Sequence, residues 1–211
     1  MDGEVRRRDP DRWLASRFVR DRKARTDLVA VLAFDAELER APRIAANPFA
    51  GEMRLLWWRE AAGEICEGAP PRAHPTLQAL ARTIHRRRLD RSGLEALADP
   101  RIAALQGADG AESAFQAGAA AGRLASLILD PQSPIEPAAA AQAAWALSRI
   151  EQGLKLAAAF AAAQRLAPLA SAAAFPAIAP AALVRPRLAG RRASGLEKRL
   201  RLLAAVLRGR I

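Results

Sequence analysis

Two adjacent tryptophans between arginines are the residues of this chain best suited to binding an apolar ligand. Trp57 and Trp58 lie within residues 51–61 (GEMRLLWWREA), and Arg54 and Arg59 stand on either side of them. Neighbouring residues on a helix point about 100° apart, so the two indoles cannot share one narrow face. The segment therefore predicts one of two arrangements. Either a central helix packs on two sides, since aromatic side chains dominate core burial, or the tryptophans form the wall of an apolar ligand pocket.

Arginines beside these tryptophans would need carboxylate partners if they were buried, because an unpaired buried charge is costly. Glu52 and Glu60 lie on the same helix and are expected to supply those partners. Glu37, on the preceding helix, is a further candidate for a buried partner of one arginine. In this interpretation the charged residues have structural roles and contact no ligand.

Histidine and cysteine offer little chemistry here. His74 and His85 are the only histidines, and no acidic residues stand at metal-ligand spacing around them, so we expect no metal site and expect His74 to cap its helix. Cys66 is the only cysteine, which excludes an internal disulfide and favours a reducing compartment. The sequence contains no Gly-rich phosphate loop, Ser–His–Asp pattern or CxxC motif.

The chain carries a large positive charge. Its formal net charge is +11, and from Pro131 to Ile211 only three glutamates oppose twelve lysines and arginines. Such a balance attracts phosphates of nucleic acid, of lipid headgroups or of a diphosphate ligand. The cluster Arg86–Arg88 has no interleaved aromatic residues, so we do not expect nucleic-acid binding. Single arginines among alanine and leucine also fit solvated helix faces and a compositional origin of the charge.

Composition indicates an all-α protein. Alanine and leucine are abundant, tyrosine is absent, and no run alternates Val, Ile or Thr as a strand does. A chain of 211 residues is long enough for one sizeable core, and no internal repeat or boundary divides it. We therefore expect a single helical domain over residues 1–211.

Capping residues and prolines place the helices that must position these side chains. The expected starts, in chain order, are Asp9–Pro10, about Thr26, Asn47–Pro48, His74–Pro75, Ser92 as a capping box, Asp109–Gly110, about Ala138 and Gly195. Pro42 should end the second helix, and the helix from Ala138 should continue to Arg165. Gly118 and Gly122, four residues apart, should allow close contact between two helices.

An uncharged stretch from Leu166 to Val184 has the length of a membrane span. Pro168, Pro176 and Pro180 interrupt it, so we expect short buried turns. The first ten residues have no apolar core typical of a signal peptide. We therefore expect a soluble cytoplasmic protein, with peripheral contact at the inner membrane as an open alternative.

Several of these segments resemble the squalene/phytoene synthase family: residues 9–12 (DPDR), residues 32–38 (LAFDAEL) and above all residues 51–61. His74–Pro75 and residues 195–203 also fit, but the similarity is specific only as far as Pro75. The resemblance implies the all-helical isoprenoid-synthase fold, here in a reduced form, with a central cavity that holds two prenyl diphosphates. Active members join these head to head with Mg²⁺, which two aspartate-rich motifs on facing helices bind.

This chain departs from the family pattern at both motifs. Counted from Phe34, the first motif falls on Glu39, Arg40 and Arg43, so one carboxylate remains and a cation stands at an expected ligand position. The second motif would fall within residues 138–165, where Glu151 is the only acid. Because Mg²⁺ prefers carboxylate and phosphate oxygens, the resemblance implies that both motifs, and with them the metal cofactor, are lost.

The segment around Phe34 and Glu37, together with the Trp-Trp-Arg helix, is most similar to a divergent branch of the family. That branch includes the mitochondrial complex I assembly factor of squalene/phytoene synthase type. The resemblance implies a non-catalytic protein that acts by binding, with a protein partner in a respiratory complex and no catalytic residue.

Two alternatives remain open. The chain could be an active prenyl-diphosphate transferase that uses Mg²⁺, or a diphosphate-binding protein in which Arg40, Arg43, Arg54 and Arg59 clamp the diphosphate instead of the metal. A prenyl or lipid ligand would then contact Trp57 and Trp58. Alternatively, the chain is a basic scaffold protein at an anionic membrane surface, with binding that salt weakens.

Overall fold

The computed structural model of the protein describes residues 2–211, and every regular element within them is a helix. The predicted all-α class is therefore confirmed. The α-helices, in chain order, are α1 (Asp2–Arg8), α2 (Pro10–Ser16), α3 (Arg22–Arg40), α4 (Pro48–Cys66), α5 (Pro75–Arg87), α6 (Arg91–Leu105), α7 (Gly110–Leu129), α8 (Glu136–Leu147), α9 (Leu154–Leu166), α10 (Phe175–Ile178), α11 (Val184–Leu188) and α12 (Gly195–Arg208). Short 3₁₀ helices lie at Pro42–Ile44, Ala167–Leu169 and Ala179–Leu183.

Polar side chains begin most of the long helices. The second predicted helix, however, begins at Arg22 after the Asp21 cap and not at about Thr26. The carboxylate of Asp9 accepts a hydrogen bond from the Arg12 amide, and the Nδ1 atom of His74 accepts one from the Thr76 amide at 3.2 Å. The cap predicted at His74 is therefore confirmed. The capping box predicted at Ser92 is wrong, because α6 begins earlier and Asp90 Oδ1 accepts the Gly93 amide at 2.9 Å.

The long helix predicted from Ala138 to Arg165 is in fact two helices. Helix α8 ends at Leu147 and α9 begins at Leu154, and Gly153 between them has a φ of 98°. That left-handed backbone favours glycine and turns the chain before α9 begins. Glu151, the one acid expected on the second-motif helix, consequently lies in the connecting loop.

Helix α3 runs through the core. Its residues from Asp27 to Leu38 are all buried, and it packs against α1, α2, α5, α6 and α7. The helix ends at Arg40, before Pro42, as predicted. Since a buried carboxylate requires a partner, each acid of α3 must meet a donor from another helix.

Helices α7 and α8 pack with their backbones close together. A methyl group added at Gly118 would lie 2.6 Å from the carbonyl oxygen of Gln142, and one added at Gly122 would overlap the backbone of Ala138. The close contact predicted for these two glycines is confirmed. It brings Trp145, on α8, towards the centre of the molecule, where it is buried.

The uncharged stretch from Leu166 to Val184 forms short turns and not one long helix, as predicted. Phe175, Ile178 and Val184 are buried there. Among residues 2–211, none of the helices is both long and apolar enough to cross a membrane.

Candidate ligand-binding cavities

The two tryptophans have different environments. Trp58 is 8% exposed and packs edge-to-face against Phe34 of α3 and His74, with ring centroids 6.0 and 4.8 Å away. Trp57 is 40% exposed and contacts Trp58 edge-to-face at 5.1 Å. One indole thus enters the core while the other stays at the surface.

A pocket of about 400 Å³, here called the Trp pocket, lies beside this pair between the end of α3 and α4. Five of the residues proposed from the sequence line it together: Glu37, Arg40, Arg54, Trp57 and Trp58. His74 also lines it, although the sequence indicated only a capping function for that residue. The tryptophans therefore form both a packing surface and a pocket wall.

The charges at the Trp pocket are unevenly paired. The buried carboxylate of Glu37 accepts a hydrogen bond from Arg8 at 2.5 Å and lies 3.6 Å from Arg40. Glu37 is thus a buried partner of arginine, but its arginines come from α1 and α3 and not from the tryptophan helix. Arg54 is exposed and forms no ion pair within residues 2–211. Arg72 stacks over the Trp57 ring at 5.0 Å, a cation–π contact.

Arg59 lies outside this pocket. Its guanidinium contacts Asp99 of α6 at 2.8 Å and Glu95 of α6 at 3.4 Å. The predicted pairing with Glu52 or Glu60 is wrong, because α6 packs on this face of α4 and supplies both acids. Arg59 therefore links two helices and does not reach a shared ligand site with Arg54.

A second cavity, here called the central cavity, has a volume of about 280 Å³ and lies among α3, α6, α7 and α8. Glu39 and Arg43 from the sequence-derived site line it. The four arginines proposed to clamp a diphosphate therefore lie in three places: Arg40 and Arg54 at the Trp pocket, Arg43 at the central cavity and Arg59 against α6.

Two carboxylates of α3 face the central cavity one helical turn apart. Asp35 is buried between Arg12 of α2 and Arg101 of α6, at 2.6 and 2.7 Å. Glu39 forms ion pairs with Arg43 at 2.7 Å and with Arg149, which follows α8, at 2.9 Å. Each carboxylate thus binds two guanidinium groups.

These ion pairs set the protonation state of the cavity. Burial by itself would raise the pKa of Asp35, but the charges of Arg101 and Arg12 outweigh it and lower the pKa below its ordinary value. Burial also acts to raise the pKa of Glu39, but the hydrogen bond and the charge of Arg149 outweigh it and lower that pKa. Both acids are therefore ionised at neutral pH and serve as counter-ions for arginine.

Trp145 closes the central cavity on the α8 side. The guanidiniums of Arg12 and Arg149 lie 4.6 and 5.1 Å from its ring centroid, and its indole N–H is buried without a hydrogen-bond partner in the structure. Asp35, Arg101 and Trp145 are site residues that the sequence did not predict. The four-residue spacing of Asp35 and Glu39 is a signal that could have indicated Asp35, but it carries no information on Arg101 or Trp145.

The family resemblance implies a Mg²⁺ site at the central cavity, but the residues present there do not fit that ion. Within residues 2–211, no group of three or more His, Cys, Asp or Glu side chains is arranged to hold a metal. Asp35 and Glu39 are each engaged by two arginines, and arginine, not acid, stands opposite Glu39. This donor set neutralises carboxylates with guanidiniums instead of binding a divalent cation.

Comparison with known proteins agrees with this architecture. The squalene/phytoene synthase family model matches residues 5–116, a little more than half of the 211 residues. The matched range includes the Trp pocket and the Asp35 and Glu39 side of the central cavity, while Trp145 and Arg149 lie beyond it. No curated protein and no solved structure matches the chain.

Proposed function

The chain belongs to the squalene/phytoene synthase family, and we propose that it is a non-catalytic member that acts by binding. One observation carries this proposal. Glu39, at the expected position of the first acidic motif, contacts Arg149 at 2.9 Å. Arg149 follows α8, in the region where the second acidic motif is expected. Opposite charges thus meet directly where the family resemblance implies two facing sets of acids joined by metal.

Electrostatics explains why this arrangement disfavours catalysis. Ionising a prenyl diphosphate requires stabilisation of the charge that develops on the leaving group, which Mg²⁺ supplies in active members. The guanidiniums at the central cavity already bind Asp35 and Glu39, so a diphosphate would have to compete with these carboxylates. A metal would instead have to displace the arginines from them.

The binding function that we propose is the assembly of a respiratory complex at the inner face of a membrane, as the similarity to the divergent branch of the family implies. The Trp pocket is the surface that we assign to the partner or to a prenyl ligand. Trp57 is partly exposed there, and Arg54 has no internal ion pair within the described residues. Exposed aromatic and arginine side chains of this kind are typical of binding hot spots.

An assay of diphosphate release tests the loss of catalysis. The full chain is incubated with farnesyl or geranylgeranyl diphosphate and Mg²⁺, with an active family member as the positive control. We expect release no faster than in buffer alone. Turnover would contradict the proposal and favour the alternative of an active prenyltransferase.

Affinity capture from native membranes tests the assembly function. We expect subunits of a respiratory complex to be enriched by the wild type and lost with Arg54→Glu. The control is Arg82→Glu, an equal charge change at an exposed residue of α5 outside the Trp pocket. Equal recovery with both variants would exclude the Trp pocket as the docking surface.

A second candidate function, docking on an anionic membrane surface, is favoured by helix α12. Its leucines at positions 196, 200, 203 and 207 are 68%, 57%, 40% and 76% exposed and form one stripe, while Leu202 and Ala205 on the other side are buried. From Arg185 to Ile211 the chain has nine lysines and arginines and one acid, Glu197. An apolar stripe with basic flanks is the pattern of helices that lie in a membrane interface.

The positive charge around this stripe favours binding to an anionic lipid surface over pairing with a second copy of the chain. Pairing two α12 helices would bring like charges together, whereas anionic headgroups would neutralise them. We expect Leu200→Gln to weaken co-sedimentation with phosphatidylserine vesicles, and Leu154→Gln, at an exposed leucine that begins α9, to leave it unchanged. A concentration-dependent dimer that Leu200→Gln abolishes would instead identify the stripe as a protein interface.

A further inference from the structure

A third cavity, here called the basic pocket, has a volume of about 490 Å³ and lies between the loop after α8 and the segment that joins α11 to α12. It lies outside residues 5–116, so the family match does not describe it. Its size falls within the range of small-molecule sites.

Cations dominate the wall of the basic pocket. Its charged lining residues are Arg149, Arg187, Arg191, Arg192 and Lys198, and no carboxylate of residues 2–211 lines it. Ser148 and Gln152 add polar groups. Five cations around one concave surface create a strongly positive potential.

The nearby carboxylates neutralise this charge only in part. Asp11 contacts Lys198 at 2.7 Å and Arg187 at 3.1 Å, so that one acid serves two cations. Glu197 contacts Arg191 at 2.8 Å. Arg192 is exposed and forms no ion pair within residues 2–211. With the Glu39 partner of Arg149, three acids face five cations, and positive charge remains in excess.

The side chain that is most affected is Arg187. Burial, and then repulsion from Arg149 and Arg192, act to lower its pKa, and attraction to Asp11 does not fully compensate. Its Nη1 donates to Ser148 Oγ at 2.7 Å, which fixes the guanidinium at the pocket wall. The like charges are therefore held together by the fold, although they repel one another.

Helix α12 adds to the positive potential. Ala193 lines the pocket directly before Ser194, the N-cap residue of this 14-residue helix. The N-terminus of a helix carries a partial positive charge, so an anion in the pocket would be stabilised by the helix dipole as well as by the side chains.

We propose that the basic pocket binds a phosphate monoester or diphosphate group, which either a small metabolite or a phospholipid headgroup presents. Such a group carries more than one negative charge and several acceptor oxygens, and it can therefore accept hydrogen bonds from guanidiniums on different sides of the pocket. A single carboxylate would neutralise less of the excess charge. This site is distinct from the Trp pocket, and of the residues that line it only Arg149 also lines the central cavity.

Isothermal titration calorimetry of the full chain with inorganic pyrophosphate tests the proposal. We expect saturable binding that Arg192→Gln weakens about tenfold, since a charge-assisted hydrogen bond is lost. Arg192 forms no ion pair with the part of the chain that the structure describes, so this substitution should leave the fold intact. Arg199→Gln is the matched control, because it removes one exposed charge of α12 that does not line the pocket. We expect it to change the affinity by at most about twofold, as one exposed, screened charge outside the pocket wall would.

Three results would overturn the proposal. These are the absence of saturable binding at low salt, equal weakening by Arg192→Gln and Arg199→Gln, and loss of binding with Arg43→Gln alone, which would locate the anion in the central cavity. Competition with vesicles that contain phosphatidic acid distinguishes the two sources of phosphate. If the vesicles displace pyrophosphate from the wild type, the pocket accepts a lipid headgroup. If they do not, it accepts a soluble phosphate compound.

Discussion

At the scale of single residues, the buried acids of α3 each form ion pairs with arginines from other helices. Asp27 is buried and forms ion pairs with Arg86 and Arg87 at the end of α5, at 2.6 and 2.7 Å. Asp35 receives Arg12 and Arg101 from two other helices. Arg86 and Arg87 of the basic cluster therefore serve helix packing.

Substitution of Asp35 should be more costly than substitution of Glu39. The Asp35 side chain is 2% exposed and that of Glu39 is 23% exposed. Asp35→Asn leaves the buried Arg12 and Arg101 without part of their compensation, and we expect it to lower the free energy of unfolding by about 3 kcal/mol. Glu39→Gln should cost about 1 kcal/mol because solvent screens that pair. Urea denaturation measures both, and equal costs would contradict this assignment.

Acid should remove the stabilisation that Asp35 provides. Its pKa in the folded protein lies below the ordinary 3.8, so the unfolded state takes up a proton first as the pH falls. The contribution is complete above pH 3.8 and disappears as the pH drops through the lowered pKa. Unfolding free energies measured between neutral pH and about pH 3 should therefore fall less steeply for Asp35→Asn than for the wild type. Parallel curves would show that other groups control the acid transition.

At the scale of helices, the contact between α7 and α8 determines the shape of the central cavity. Both helices contribute to its wall, with Gly118 on α7 and Trp145 on α8. The absence of side chains at Gly118 and Gly122 allows the backbones to approach, and the neighbouring alanines keep the interface thin. A larger spacing would move Trp145 and Arg149 away from α3.

Gly122→Ala should therefore destabilise the protein although alanine favours helix. The added methyl group would overlap the backbone of Ala138, which cannot move without shifting α8. We expect a loss of about 2 kcal/mol in unfolding free energy, since overpacking outweighs the gain in helix propensity. The control is Gly3→Ala, where no atom of residues 2–211 lies within 4 Å of the added group, and a gain of up to about 1 kcal/mol is expected there. Stabilisation by both substitutions would show that α8 adapts freely.

At the scale of the whole molecule, the charge is concentrated towards the C-terminus. The net charge is +11, and the region from Pro131 onward contains three of the 22 acids. This region also holds the basic pocket and the exposed leucines of α12. Most of the net positive charge therefore comes from this region of the chain.

Binding of the full chain to anionic vesicles should consequently depend on salt. The Debye length shortens from about 10 Å at 0.1 M to about 3 Å at 1 M salt, so we expect strong co-sedimentation at low salt and little at high salt. Vesicles of phosphatidylcholine alone serve as the control and should bind weakly at either salt concentration. Binding to both kinds of vesicle that salt leaves unchanged would indicate apolar insertion without an electrostatic contribution.

Local signals predicted most of the helical framework. The bounds of α12 and the caps at Asp9 and His74 follow from short-range hydrogen bonding and turn chemistry, which a few neighbouring residues determine. The break between α8 and α9 was missed because alanine favours helix on both sides of a short loop. That the chain is one domain, and that it assembles a respiratory complex, stay predictions.

The sequence by itself determined the helical class, the family, and the presence of a tryptophan pair on a helix that follows a core helix. Only the tertiary structure decided which charges meet. Asp35 and Arg101 are 66 residues apart, and Glu39 and Arg149 are 110 apart. Such pairs depend on how the helices cross in space. Because the chain contains many arginines, the spacing of residues along the sequence cannot show which arginine pairs with a given acid. The physical reason is burial, because an acid inside the core must take whichever cation the packing brings within reach.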